Sequence, residues 1–431
     1  LKKLATIFTI IAVTTIGVIP VAAQEQLPPG VLPYDDPQRP QPPQGVQVER
    51  EKKGGLLYAA GRYVDDHCGN LAAGLGGAGF AACFPRHWEP TAFYGGKPGL
   101  SVGLNVHNDR FRTTGPQFGI TSSISWAVYQ RYTGYFGWNN PVSQPAVTLT
   151  GYYDDQTREQ FWGLGPDSDE DDRSTYGWER YGVEAKVSVP RHHRISGHAG
   201  VRYEESDIHD GRSAGSDPRV EERFDPDEAP GLDVARQEYV VPNATVVIDL
   251  TRNPGGRPTL GAIIKGWWEM YSTQNDIPLE WTTIGGSASV HLGSEFHNLS
   301  FMAGVEEADP EGSEDEILFS HLPSLGGSTT LRGFPSRRFR DRAAGWGTVA
   351  YRFALWRGRT DNPHARAAAI ETQIFYDIGG VGDDIGDVDF TDEYSYGIEF
   401  RGYGPMGHLF GVGLARGGEG ISLNFTVSDV F

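Results

Sequence analysis

Long stretches of this sequence alternate polar and apolar residues with a period of two, and no helical period of any length interrupts them. In 259–272 one face carries Leu260, Ala262, Ile264, Gly266, Trp268 and Met270, while Thr259, Lys265, Glu269 and Tyr271 fall on the other. Residues 281–292 set Ile284, Ala288, Val290 and Leu292 against Thr283, Ser287, Ser289 and His291. Residues 176–189 set Tyr181, Val183, Ala185, Val187 and Val189 against Arg180, Glu184, Lys186 and Ser188. Successive side chains of a strand point to opposite faces, so each stretch predicts a strand with one greasy side. Without helical segments, α/β architectures are excluded. A soluble sandwich would alternate in the same way with its apolar faces packed inward. Three features favour a transmembrane barrel instead: the strands are long, aromatics gather near their ends, and polar loops separate them.

Hydropathy does not oppose that reading. The mean hydropathy is negative, but a membrane barrel puts only every second residue against lipid. Leu1–Ala23 reads as a secretory signal. Lys2 and Lys3 precede a nearly unbroken apolar run to Ile19, and Val21, Ala22 and Ala23 supply the small residues a signal peptidase needs. A membrane anchor is the alternative, but Gln24, Glu25 and a Pro-rich stretch follow at once with no basic flank. Residues 24–55 hold seven prolines between Pro28 and Pro43, then the charged run 49–53, and read as an extended tether. The barrel is assigned to 56–431, its strands not readable before residue 99. Cys68 and Cys83 suit an oxidising compartment and could close a small disulfide, two buried thiols being the alternative. A net charge of −19 repels nucleic acid phosphates, so no nucleic acid partner is expected.

From Gly99 onward, strands are expected near 100–108, 117–138 (long enough for two), 146–154, 176–189, 194–205, 239–250, 259–272, 281–292, 299–307, 347–356, 365–376, 394–401, 408–415 and 421–429. Counting back from the C-terminus places the short connections 190–193 and 293–297 on one side. The long ones, 156–174, 206–237, 309–342 and 378–393, then lie on the other, as an outer-membrane barrel requires. The last strand carries Ile421, Leu423, Phe425, Val427 and the terminal Phe431 on one face. A terminal aromatic strand of this kind, behind a signal peptide, points to the bacterial outer membrane and to its barrel-assembly machinery as the partner during biogenesis. Asp429 interrupts the apolar face.

Gly326-Gly327-Ser328-Thr329-Thr330-Leu331-Arg332-Gly333-Phe334 lies in a long loop, five strands before that end. Phe161-Trp162-Gly163-Leu164-Gly165, Asp249-Leu250-Thr251-Arg252-Asn253 with Pro258 and Gly261, and Phe375-Tyr376-Asp377-Ile378-Gly379 stand around it. Together with the terminal strand, these resemble, in order, the motifs of the bacterial surface antigen superfamily that includes BamA, TamA and FhaC. The resemblance covers 160–431. It implies a barrel of sixteen strands whose Arg-Gly-Phe loop (Arg332, Gly333, Phe334) folds back into the lumen, its Arg paired with acidic groups on the wall. An Arg in a narrow barrel needs charge-assisted partners, and its fork suits a carboxylate. By parity Asp377 points inward with Glu371, Gln373 and Phe375, so Arg332–Asp377 is the expected pair. The alternative is an exposed turn in which Arg332 sits beside Arg337, Arg338, Arg340 and Arg342. Two departures stand out. The family's second acid sits in a Glu-Tyr-Arg-Phe-Pro strand, where this sequence has Ala350-Tyr351-Arg352-Phe353-Ala354. The substrate-collecting POTRA domains of the family have no counterpart in 24–98, too short and Pro-rich in its first part and without a helix–strand pattern in its second.

Catalytic signals are missing. Asp167, Asp169 and Asp171 alternate like calcium ligands, but Asp172 stands where the loop needs Gly and Trp178 where it needs Glu. They and the aspartates of 383–392 read as acidic outer loops that meet lipopolysaccharide through loosely held divalent ions. His192 and His193 are adjacent on a turn, a poor arrangement for one metal. No Gly-x-Ser-x-Gly elbow, phosphate loop or dinucleotide fingerprint occurs. The sequence therefore predicts an all-β transmembrane antiparallel β-barrel in the outer membrane, not an enzyme, with no cofactor and no metal. Its expected partners are membrane lipid, lipopolysaccharide and polypeptide clients that it helps to insert or translocate; the alternative is a passive pore or surface-structural barrel.

Overall fold

The computed structural model describes residues 88–427, apart from 96–98, 108–114, 140–145, 190–193, 212–216, 235, 253–257, 275–278, 313–316, 358–368 and 405–406. The signal, the tether, Cys68, Cys83, His192, His193 and Phe431 lie outside the described residues.

The alternating stretches become strands of one antiparallel 16-stranded sheet. In chain order these are β1 (Trp88–Gly95), β2 (Gly99–His107), β3 (Gly115–Ser125), β4 (Gln130–Asn139), β5 (Ala146–Phe161), β6 (Ser174–Val189), β7 (Ile195–Asp210) and β8 (Gln237–Asp249). There follow β9 (Gly261–Thr273), β10 (Trp281–Gly293), β11 (His297–Pro310), β14 (Ala343–Arg357), β15 (Ala369–Gly382), β16 (Glu393–Gly404), β17 (Gly407–Gly417) and β18 (Gly420–Val427). Each strand pairs with the next in sequence. Two short strands inside the loop before β14, β12 (Ser324–Leu325) and β13 (Phe339–Arg340), pair only with each other. The sheet curls until β1 comes into contact with β18.

Several expected boundaries move; β5, for example, runs to Phe161 rather than ending at 154. The stretch 117–138 is two strands, broken at a turn where the Val128 N–H donates to the Ser125 carbonyl and Val128 holds a left-handed φ of 64°. The Gly-rich segment before residue 99 contributes β1. Strand β15 begins at Ala369 and continues to Gly382, six residues past the expected end.

Burial sorts the two faces in the sense opposite to a soluble sandwich. On β15, Ile370, Ile374 and Tyr376 are exposed, whereas Glu371, Gln373, Phe375 and Asp377 are buried. On β7, Val201 and Tyr203 are exposed and Glu204 is buried. Bare apolar side chains continue around the sheet through Ile120, Phe136, Leu149, Val349, Phe400 and Leu423. A contiguous apolar surface of this extent is matched by hydrocarbon rather than by water. We expect Ile374→Arg to cost about 2–4 kcal/mol if it lies near the bilayer midplane. A lowered urea midpoint for folding into lipid vesicles is the readout, and an unchanged midpoint would place Ile374 away from lipid.

The covered face holds ion pairs instead. Asp154 is bridged by Arg131 and Arg180 at 3.1 Å each, and Arg202 lies 3.3 Å from Glu204. Strands β5, β6 and β7 are each 16 residues long, more than the ~9–11 that cross a bilayer. Their surplus forms a wall at the end from which the four long connections emerge, and the loop before β14 packs against that wall.

Candidate functional site

The site is built on the loop between β11 and β14, which contacts β15 and β18 through Arg332 and the β5–β6 region through Arg338 and Arg340. At its base Ser324 pairs with Arg340 and Leu325 with Phe339. Its tip is a self-contained fold. The Gly327 N–H donates to the Phe334 carbonyl at 3.1 Å, and the Gly326 N–H donates to Thr330 Oγ1 at 2.9 Å. Gly326 has φ +114°, and a Cβ there would run into the Pro335 carbonyl, so the paired glycines of the motif make a turn that other residues could not. Leu325, Leu331, Phe334 and Phe339 then pack with Ala344 and Val381 into one apolar cluster.

That cluster aims Arg332 at β15. Asp377 is fully buried and accepts from five donors. These are Arg332 Nη2 at 2.6 Å, Arg332 Nε at 2.9 Å and the Arg332 backbone N–H at 3.2 Å. Thr348 Oγ1 at 2.9 Å and Ser395 Oγ at 3.1 Å complete the set. Both carboxylate oxygens are engaged in the fork geometry that arginine offers, with the neighbouring hydroxyls satisfying the remaining lone pairs. The guanidinium also lies over the Phe375 ring, 3.4 Å from its centroid.

Ala350 now has a local explanation. It is the direct cross-strand partner of Phe375 on β14, and Gly397 is the partner on β16. Ala350, Phe375 and Ala415 form a buried cluster, and a Cβ on Gly397 would sit 2.7 Å from the ring. A small residue at 350 leaves room for the ring that supports Arg332. The second acid comes from β16: Glu399 Oε2 lies 3.7 Å from Arg332 Nη1 and 2.6 Å from Arg401 Nη2. No motif singles out Glu399, although parity marks it, since it stands between the exposed Ile398 and Phe400.

Gly333 and Phe334 face the last hairpin. A Cβ on Gly333 would lie 2.5 Å from Gly417 N, 2.7 Å from the Arg416 carbonyl carbon and 2.7 Å from Ser395 Cβ. Phe334 covers Gly417 and meets Phe339 edge-on at 5.1 Å. Asn424 Nδ2 on β18 donates to the Arg332 carbonyl at 2.6 Å. Phe425 and Val427 lie in β18, their backbones in register with Val412 and Phe410 of β17.

The arginines after the motif are also drawn inward. Arg332, Arg338 and Arg340 are buried, so the exposed-turn alternative does not describe them. Arg340 donates to Tyr176 Oη at 2.9 Å, the Gln160 carbonyl at 3.0 Å and the Phe319 carbonyl at 3.3 Å. Gly165 N–H, at the end of the Phe-Trp-Gly-Leu-Gly segment, donates back to the Arg340 carbonyl at 2.9 Å. Arg342 instead pairs with Asp383 at 2.7 Å near the surface.

Earlier in the loop, Phe319 and His321 dock on the tall wall of β5–β10. His321 is ringed by Trp178, Tyr239, Tyr271 and Trp281, with centroids 5.4–5.7 Å away. Glu204 Oε1 lies 3.7 Å from its Nε2. Burial pushes the His321 imidazole below its ordinary range, and Glu204 opposes that shift. No sequence motif marked this histidine; its neighbours come from four different strands.

The acidic loops are tied into local structure. Asp169 Oδ1 caps the single turn Glu170–Asp172, Asp172 pairs with Arg223, and Asp389 accepts from Thr391. Among the described residues no group of His, Cys, Asp or Glu is arranged to hold a metal ion.

Comparison with known proteins bears on the family and the fold. The Omp85 superfamily domain model matches residues 110–411. BamA from Haemophilus ducreyi lacking POTRA domains 1–3 has a similar fold, with a TM-score of 0.53 at 14% identity, covering 78% of this chain and 68% of that one. CdiB from Escherichia coli aligns with a TM-score of 0.47 at 10% identity, over 79% of this chain and 60% of that one. CdiB from Acinetobacter baumannii gives 0.43 at 10%, over 78% and 57%. No curated protein sequence matches the chain.

Proposed function

The chain belongs to the Omp85 superfamily and is a bacterial outer-membrane β-barrel protein, and from that premise we propose that it assists insertion or translocation of polypeptide at that membrane. Its long connections face outward, and its sheet closes as a sixteen-stranded barrel through β1 and β18. The role is not enzymatic. Lipid and lipopolysaccharide surround the barrel, and the terminal strand with Phe425, Val427 and Phe431 addresses it to the assembly machinery during its own biogenesis.

One observation carries the reading. The Arg-Gly-Phe loop grips β15 and β16 through Arg332 and rests on the last hairpin through Gly333, Phe334 and Asn424. Among the described residues no ladder pairing joins β1 to β18. A brace that holds the last hairpin beside a thinly bonded seam is the part such a barrel needs to open towards lipid and close again. Edge strands with free ladder groups template an incoming strand. Proteoliposomes carrying the full chain are expected to speed the folding of a small unfolded client barrel at least several-fold over empty vesicles. Steady conductance without any acceleration would contradict the proposal and leave the passive pore in its place.

A further inference from the structure

Arg338 is placed unlike any other cation of the loop, because its partners lie on opposite sides of the enclosed space. Its Nε donates to Glu419, in the two-residue turn between β17 and β18. Its Nη1 donates to Ser168 Oγ at 2.8 Å and its Nη2 to the Ser168 carbonyl at 2.7 Å, in the connection between β5 and β6. The side chain is 2% exposed and lies near the rings of Phe339 at 4.7 Å and Trp162 at 5.3 Å. Trp162 belongs to the Phe-Trp-Gly-Leu-Gly segment, so that segment helps to build the far socket.

We propose that Arg338 is a strut across the outer mouth, a positioning residue that ties the last hairpin to the β5–β6 connection and so restrains the seam at β18. This rests on the reading that the seam opens towards lipid. Two physical features make the strut stiff. A planar fork with three hydrogen bonds fixes direction as well as distance, which a lysine cannot do. Removal from water also strengthens each charge-assisted bond. The surroundings add a load that the strut opposes. Asp169 and Glu170 act on Glu419 with like charge, and Glu419 acts in the same way on Glu393. Burial raises the Glu419 carboxyl above its ordinary range, while Arg338 pulls it down. Without the guanidinium, the carboxyl at the hairpin tip would keep its crowded acidic surroundings and lose the ion pair that seats the hairpin. The strut is separate from the Arg332 anchor, whose carboxylates lie on β15 and β16.

The test is single-channel recording of the full chain in planar bilayers with no client present. R338Q and E419Q are each expected to raise the frequency of large openings at least fivefold. The R338Q/E419Q double variant should be no more open than R338Q alone, because both remove one contact. R338K, which keeps the charge near Glu419 and loses the fork on Ser168, should fall between wild type and R338Q. Openings at the wild-type frequency in both single variants, or single effects that multiply in the double variant, would overturn the strut. If R338Q does not fold, judged by unboiled electrophoretic mobility, E419Q and R338K decide the matter by the same criterion. Because no client enters the assay, a quiet R338Q channel beside normal client folding sinks the strut alone. An open R338Q channel beside a wild type that folds no client sinks the insertion reading alone.

Discussion

Asp377→Ala is expected to release the Arg-Gly-Phe loop, with a loss of about 3–5 kcal/mol. The figure follows from what remains rather than from what is removed. Arg332 would keep a guanidinium 7% exposed with only Glu399, itself shared with Arg401, at 3.7 Å. Thr348 and Ser395 would lose their acceptor as well. An uncompensated buried cation leaves its site when it can, and a loop can move where a strand cannot. The first sign should be protease cleavage within 311–342 in folded, membrane-inserted protein, with a fall in the unfolding midpoint. Arg332→Ala should produce the same phenotype, and the double variant should cost much less than the sum, since the two side chains form one unit. Additive effects of the two substitutions would show that the pair does not hold the loop.

Gly333→Val should be the second severe change, for a steric reason. The position the side chain would occupy already contains Gly417 N and the Arg416 carbonyl carbon, which are backbone atoms of a paired strand end. They cannot rotate aside, and overpacking of this kind costs about 1–3 kcal/mol or more for each inserted group. The loop tip must lift, taking Arg332 and Phe334 with it. Gly418→Ala is the control in the adjacent turn, where the nearest atoms are Glu393 Oε2 at 3.7 Å and Phe334 Cζ at 3.9 Å. We expect G333V to match D377A in protease sensitivity and G418A to match wild type. Equal resistance of G333V and wild type would mean that the loop does not dock at Gly417.

Which parts of this were legible in the sequence follows from the range of each interaction. Parity is local, so the faces of β6, β9, β10 and β15 could be read from the chain alone. The family motifs are also local, and the match over 110–411 bears out the resemblance they carry. The stretch 117–138 was long enough for two strands, but the place of the turn between β3 and β4 could not be read: Trp126, Ala127 and Val128 offer no glycine, proline or asparagine, and the bend is made by Val128 in a left-handed conformation. Strand β1 was hidden because Gly-rich sequence has no apolar alternation to detect. Glu399, His321 and Arg338 escaped for a third reason. Their partners stand 67 to 170 residues away, or on four separate strands, and only the curl of the sheet brings them together. Glu399 was the recoverable one, because its parity and its apolar flanks were visible. Arg338 enters the sequence analysis only as a neighbour in the exposed-turn alternative for Arg332, and no local signal points to its partners.

Strand β15 is the element on which lipid on one side and the docked loop on the other can be tested together. In a background with Cys68 and Cys83 replaced by Ser, single spin labels at 370, 373, 374, 375 and 376 can be compared in vesicles for collision with oxygen and with a water-soluble nickel complex. Oxygen-rich, nickel-poor signals are expected at 370, 374 and 376, and low access to both reagents at 373 and 375 while the loop is seated. Nickel access at 374 and 376 equal to that of a free loop would contradict that arrangement.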